Sequence, residues 1–295
     1  MDTVGIVGLG VMGSNCAKKL MESGVPVAGY DPYPPAVKRA SEAGVAVCGS
    51  PAELAGKARG ILMFVPGPAD TEKVVLGEGG IASGAPEGTV VVNMSTVDPG
   101  VNIRMGEALA PKGIDFVDAP VMGSPSGVGS WAFALGGSDE ALAKIKDVLL
   151  VLSGSEEKLF HIGPLGHGNK LKLLNNMMLG AIDACAAETM ALAEHMGLSQ
   201  KTLIDVAVAA NARVLSSAYK EIGTRIAEGR YDEPTFTVDM LIKDNRLCLD
   251  MAREYGAPLI LGAAVDYVHR MVSVQGYGAK DHAVSWKAVA KNWKA

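Results

Sequence analysis

Three glycines and one aspartate near the amino terminus pose the first chemical question. Gly8, Gly10 and Gly13 form G-x-G-x-x-G within GIVGLGVMG, and Asp31 follows Gly8 by 23 residues. In such a turn the first glycine permits the tight bend. The second lets the backbone approach a pyrophosphate, and the third lets helix and strand pack closely. A helix opening there aims its amide dipoles at phosphates. Leu9, Val11 and Met12 complete this candidate cradle, and Asp31 stands where an acid accepts from adenosine ribose hydroxyls. A carboxylate accepts from a 2′-hydroxyl and repels a 2′-phosphate, so the expected cofactor is NAD rather than NADP. Lys38 and Arg39 come later, on the next expected helix, and read as a solvated face.

A second group lies in LGHGNKLKLLNNMM, residues 165–178. Burying an ammonium or a primary amide is costly without partners. On a helix, residues four apart share a face and residues two apart do not. Lys172 and Asn176 therefore form one polar couple, while Lys170 sits about 200° round the helix. The surrounding LLNNMMLGAIDACAA is apolar on all sides, which argues against an ordinary surface helix. Lys172 is the candidate proton-transfer group, Asn176 its helper, and Lys170 a solvated first-turn side chain.

The elements that would position these groups fall into two halves. Residues 1–163 alternate short Val/Ile/Leu-rich runs with helical stretches. The runs are 3–8, 25–31, 58–66, 89–95, 114–120 and 131–137, and the helices are expected near 12–23, 35–43, 98–110 and 139–150. Near-continuous apolar runs are how strands buried on both faces of a parallel sheet read. Strand–helix alternation at this spacing implies βαβ units. From residue 164 to 295 the strand-like runs disappear. Helices are expected near 168–196, 199–210, 212–228, 238–255, 259–275 and 280–290, with HIGPLGHG (161–168) as the hinge. The expected fold is α/β: an N-terminal Rossmann-type, doubly wound, mostly parallel sheet over 1–163, then an all-α domain over 164–295, to which the family resemblance given below assigns substrate binding and oligomerisation. A long helix would open the second domain.

Totals exclude other classes. A chain of 295 residues, 48% of them hydrophobic, can bury a large core. A net charge of −5 argues against nucleic acid or an anionic membrane as the main partner. The four cysteines, Cys16, Cys48, Cys185 and Cys248, form no CxxC and read as reduced thiols. The five histidines show no metal-ligand spacing, so no metal is expected. The opening MDTVGIVGLG lacks the basic region of a signal peptide, and no apolar run is long enough to span a membrane. The expected location is cytoplasmic.

Four separated motifs make the chain resemble the β-hydroxyacid dehydrogenase family, of the 3-hydroxyisobutyrate dehydrogenase and tartronate semialdehyde reductase kind, over essentially its whole length. GLGVMG (8–13) resembles the cofactor turn and DAPVMG (118–123) the substrate-binding segment. GHGNKLKLLNN (166–176) resembles G-x-G-x-x-x-K-x-x-N-N, and KDNRLCLDMA (243–252) resembles the stretch whose lysine reaches the cofactor. The resemblance implies Lys172 as catalytic lysine, Asn176 as its helper and Lys243 as a cofactor contact. It also implies Thr96, in NMSTVDP, beside the nicotinamide ribose. Val65 and Pro66, closing ARGILMFVP, are further cofactor candidates. Met122, Gly123 and Ser124, with Lys172 and Asn176, would bind substrate.

The implied reaction is hydride transfer between nicotinamide and a small β-hydroxy acid or semialdehyde. Lys172 would accept the alcohol proton or donate to the alkoxide, and burial would lower its pKa towards neutrality. A homodimer or homotetramer through the helical half is implied. An imine-reductase-like enzyme or a non-catalytic NAD-binding scaffold are the alternatives, and both typically lack the lysine.

The departures from the family pattern bear on substrate. The family reads Ser-Gly-Gly after DAPV, whereas here the segment is Met122-Gly123-Ser124, followed by Pro125, which has no amide to donate. The stretch to Gly136-Gly137 is about two residues short and contains Trp131. A wall built this way is expected to hold the smallest acids poorly and to tolerate a bulkier group beside Met122 and Trp131. Asn245 replaces the leucine usual after Lys-Asp.

Overall fold

A computed structural model describes residues 2–291. The chain divides into two compact units, Met1–Lys172 and Leu173–Ala295.

The first unit opens with β1 (Val4–Val7), α1 (Val11–Glu22), β2 (Val27–Tyr30), α2 (Pro34–Glu42) and β3 (Ala46–Val47). These are followed by α3 (Pro51–Lys57), β4 (Gly60–Met63), α4 (Pro68–Leu76), α5 (Ile81–Gly84), β5 (Val90–Asn93) and α6 (Pro99–Leu109). It closes with β6 (Asp115–Asp118), β7 (Val121–Met122), β8 (Ala132–Gly136), α7 (Asp139–Ser153) and β9 (Leu159–Gly163). The sheet runs β3-β2-β1-β4-β5-β6-β8-β7, with β9 paired to β8. β3 to β6 are all parallel, in the strand order of a dinucleotide-binding sheet. β8 runs antiparallel to β6 and β7 and parallel to β9.

Both faces of this sheet are covered, which explains the unbroken apolar runs. Successive side chains point to opposite faces. Ile6, Leu62 and Val92 join Leu20 of α1 and Ile145 and Leu149 of α7 in one core. Val7, Ile61, Met63 and Val91 join Leu54 of α3 and Val101, Met105 and Leu109 of α6 in the other.

The six expected strands are all present. Of the expected hinge 161–168, residues 161–163 belong to β9, and the next helix begins at residue 167. That helix is α8 (His167–His195), a single element of 29 residues. It carries Lys172 at the end of the first unit and continues into the second.

The second unit adds α9 (Gln200–Ala209), α10 (Ser217–Glu228), α11 (Val238–Glu254), α12 (Ile260–Val272) and α13 (Ser285–Lys291). Its core gathers Ala186 and Met190 of α8, Ile204, Ile222, Ile226, Val238, Val272 and Ala288. Two helices start later than expected: α13 at Ser285 rather than 280, and α10 at Ser217 rather than 212. Ser216 caps it, its hydroxyl accepting from the Tyr219 amide at 3.0 Å. No helix among the described residues is long and apolar enough to cross a membrane. No cluster of three or more His, Cys, Asp or Glu among them could hold a metal.

Candidate active site

The glycine turn joins β1 to α1 beside β4, where the strand order reverses. This is the switch point at which open α/β sheets bind their ligands. Gly8 takes a φ of 91°, and a side chain there would run into the Phe64 carbonyl of the neighbouring strand end. A side chain at Gly13 would run into the Gly8 carbonyl. A Cβ on Gly10 would meet nothing, because Gly10 faces open space at the start of α1. These are the three separate demands of a pyrophosphate turn, so the residues fit a bound dinucleotide. Val11 is largely exposed beside Gly10, Leu9 is buried, and Met12 packs against the core.

Asp31 ends β2 and ties the turn together. Its Oδ2 accepts from the Leu9 amide at 2.7 Å and its Oδ1 from the Tyr33 amide at 2.8 Å. Each oxygen keeps a second lone pair for a ribose hydroxyl. Asp31 lines a cavity of about 800 Å³ with Pro32, Val37, Ser41, Glu42 and Cys48. Lys38 also lines its rim, and its side chain is exposed on α2, as a solvated face would be. It lies 3.9 Å from Glu42, and two carboxylates share the cavity with it.

Val65 and Pro66 follow β4, and Thr96 follows β5. Ser95 links them, its hydroxyl accepting from the Val65 amide at 2.8 Å. Asn93 in turn accepts from the Ser95 amide and donates to Asn102 of α6.

The start of α8 is anchored on the sheet. Asp118, the last residue of β6, is fully buried. Its Oδ1 accepts from the Gly166 amide at 2.7 Å and its Oδ2 from the Asn169 amide at 2.6 Å. The Asn169 side chain reaches back, its Oδ1 accepting from the Val97 amide at 2.9 Å. Burial pushes the Asp118 carboxyl up to about 6, against the pull of the amide donors from Asn169 and Gly166. Lys172 lies one turn beyond Asn169, half-buried, and Lys170 is half-buried on a different face. The helix is not enclosed on all sides as its sequence implied, since Leu174 and Met178 are more than half exposed.

Met122, the last residue of β7, is half-buried, and Gly123 and Ser124 after it are exposed. Trp131 does not line this wall from the side, as the sequence suggested. It is fully buried, and its indole N–H donates to the Ser124 carbonyl at 2.7 Å.

In the second unit Asn176 is buried, and its amide donates to Asp244 Oδ2 at 2.5 Å. The Asn175 side-chain amide donates to the Asn176 side-chain oxygen, Oδ1, at 3.1 Å. A carboxylate only accepts, so Asp244 fixes which way the Asn176 amide faces. Lys243, half-buried, lies 3.1 Å from Asp244 Oδ1. Further along α8, the fully buried Asp183 holds His269 of α12 at 2.9 Å and His282 at 2.7 Å. Asn245, the unusual residue of KDNR, approaches the other nitrogen of His269 at 3.5 Å, joining α11 to this buried polar seam.

Residues 3–163 match the NAD binding domain of 6-phosphogluconate dehydrogenase. Residues 166–289 match the NAD-binding domain of NADP-dependent 3-hydroxyisobutyrate dehydrogenase. The chain belongs to the β-hydroxyacid dehydrogenase family. Relatives in this family include the L-threonate dehydrogenase of Cupriavidus necator, 34% identical over 94% of this chain and 93% of the relative. The 2-(hydroxymethyl)glutarate dehydrogenase of Eubacterium barkeri is 31% identical over 99% and 94%. Among solved structures, the 3-hydroxyisobutyrate dehydrogenase of Salmonella typhimurium superposes with a TM-score of 0.88 at 27% identity, covering 97% of this chain and 99% of that one.

As a β-hydroxyacid dehydrogenase, the chain is an NAD(P)-dependent oxidoreductase of hydroxy acids. Sequence reasoning named its candidate residues but not the side chains that hold them. Asp118 stood inside a recognised motif without a role of its own, and Asn169, Ser95 and Asp244 were not singled out. Their signal was available in part: Ser95 adjoins Thr96, Asp244 adjoins Lys243, and Asn169 stands one helical turn before Lys172.

Proposed function

We propose that this enzyme prefers NAD and oxidises a small β-hydroxy acid, or reduces the matching semialdehyde, with Lys172 as general acid/base. The observation that carries the reading is the Asp118 anchor. One carboxylate, at the head of the acid-binding segment, receives the first-turn amides of the helix that carries Lys172. The spacing between wall and lysine is thereby built into one unit.

The bound nicotinamide would supply or accept the hydride. Gly8 to Gly13 would hold the pyrophosphate and Asp31 the adenosine ribose. Thr96, Val65 and Pro66 are placed at the adjoining strand ends, where Ser95 fixes their backbone. Lys172 would take the proton of the substrate hydroxyl in oxidation and return it in reduction. Asn176 follows it by one helical turn and is held by Asp244. Lys243, beside the same carboxylate, would contact the cofactor. Met122, Gly123 and Ser124 would receive the acid group. Two carboxylates lining the Asp31 cavity support NAD over NADP. The relatives named for L-threonate and 2-(hydroxymethyl)glutarate support a substituted hydroxy acid over the smallest ones. The exposed Leu174, Met178 and Leu192 of α8, with Met196 just past its end, recur at helical spacing and support association of the helical half into a homodimer or homotetramer. The imine-reductase-like and non-catalytic alternatives rank lower because Lys172 is present.

The test is a substrate screen, oxidising small hydroxy acids with NAD and NADP in parallel and reducing the semialdehydes, with Lys172→Ala as control. Turnover of no hydroxy acid, or turnover that survives the control, refutes the reading.

A further inference from the structure

The segment between β7 and β8 is built around one side chain, Trp131. The Ser124 carbonyl accepts twice, from the Trp131 indole at 2.7 Å and from the Gly127 amide at 3.0 Å. Both lone pairs of this oxygen are thereby turned inward, so its negative end does not face an incoming anion. The indole also forms the floor of the segment. A Cβ on Gly123 would lie 2.6 Å from Trp131 Cδ1, so only glycine passes over the ring there. The ring itself is fixed: Phe64 lies at 6.4 Å between centroids, tilted by 55°, and Phe133 at 6.3 Å, edge-on. Above this floor, Ser124 and Ser126 are both exposed, with their hydroxyl oxygens 3.3 Å apart.

We propose that Trp131 is the positioning residue of the acid-binding segment, and that it presents the Ser124 and Ser126 hydroxyls as a paired donor for a substrate carboxylate. The proposal rests on the reading of residues 122–124 as the substrate wall and extends it to Ser126. Hydroxyl hydrogens rotate to suit their surroundings. Without ligand, one of the pair donates to the other. With a carboxylate present both can turn outward, each to one oxygen, and only one weak bond is lost. The missing serine at position 122 is thus replaced from the other side of Gly123, and the two-residue shortening brings Trp131 under the segment. The carbonyl withdrawal matters as much as the donors, because a carbonyl oxygen aimed at the same site would repel the anion.

The experiment measures binding rather than turnover, so that it stands apart from the fate of Lys172. Calorimetric titration of 3-hydroxyisobutyrate, L-threonate and the primary amide of 3-hydroxyisobutyrate is run on the NADH-loaded wild type, Trp131→Phe and Ser126→Ala. Trp131→Phe keeps a ring on the floor and removes the N–H; Ser126→Ala leaves the floor intact. Each is expected to weaken the acids about tenfold, roughly 1.4 kcal/mol, and the neutral amide less than about twofold, a contrast that follows from charge-assisted bonds being the stronger. A purely structural role for Trp131 would weaken acid and amide alike. Equal weakening, no weakening in either variant, or failure of the wild type to bind either acid overturns the proposal. Retained acid–amide contrast in a protein that turns over no hydroxy acid would count against the proposed reaction, not against this site.

Discussion

Asp118 and Asn169 grip each other twice: the Asp118 carboxylate accepts both the backbone amide of Asn169, at 2.6 Å, and its side-chain amide, at 3.3 Å. The pair ties the end of a central strand to the first turn of the helix that bears Lys172. Replacing Asp118 by Asn turns one accepting oxygen into an NH₂ that faces an N–H. A buried donor left without an acceptor costs about 1–3 kcal/mol. Asp118→Asn is therefore expected to lower stability in urea unfolding by that order and to lower kcat as the helix start shifts. Unchanged unfolding and unchanged turnover would show that the anchor is dispensable.

Lys172→Ala should remove most turnover, by a factor on the order of 10²–10⁴, while NADH binding followed by fluorescence stays near wild type. Lys170→Ala should be close to neutral, because it lies about 200° away on the helix. A crippling Lys170→Ala beside a harmless Lys172→Ala would reverse the assignment.

Asp31→Asn tests cofactor choice. The wild type should show higher kcat/KM with NAD than with NADP, and the variant a narrower gap, because the charge that repels a 2′-phosphate is gone. Some loss with both cofactors is expected too, since Asp31 also holds the Leu9 and Tyr33 amides. Equal use of both cofactors by the wild type defeats the argument.

The Asp183 seam predicts a window of pH stability. Burial raises the Asp183 carboxyl, but the facing His282 and His269 outweigh it and hold it down at about 2, below the ordinary 3.8. Its stabilisation is complete above the ordinary value and is lost as pH falls towards 2. Burial lowers His282, but Asp183 outweighs it and holds the imidazole above its ordinary 6.5. That contribution is complete below 6.5 and is lost as pH rises through the folded value. Urea midpoints across pH should therefore be highest between these limits, and His282→Gln should flatten the alkaline decline. A variant that declines as steeply as the wild type would assign the decline to other groups.

Much of the fold was legible because the parallel strands, buried on both faces, write themselves as Val/Ile/Leu runs, and because α8 is long and continuously helical in its residue pattern. The missed elements are short or lean on neighbours. β7 has two residues and β9 is largely exposed, so neither leaves an apolar signature. α3 and α4 begin at prolines and bury few side chains, so their periodicity is weak. Trp131 was read as part of a wall because sequence shows that it is near Gly123 in the chain, not that it lies beneath it. The partners of Asp118 stand 48 and 51 residues away, and no local spacing announces them. Asn245 gained a reason only when His269, 24 residues on, came within reach.

The anchoring of α8 also has a consequence for motion. The first turn of a helix ordinarily frays, because its amides lack partners within the helix. Here the amides of Gly166 and Asn169 are closed by a carboxylate rooted in the central sheet, and Asn169 closes the amide of Val97 in return. Their hydrogens can exchange with deuterium only when the bonds to Asp118 open. The end of the helix that carries Lys172 is thus expected to exchange its Gly166 and Asn169 amides slowly for a helix terminus.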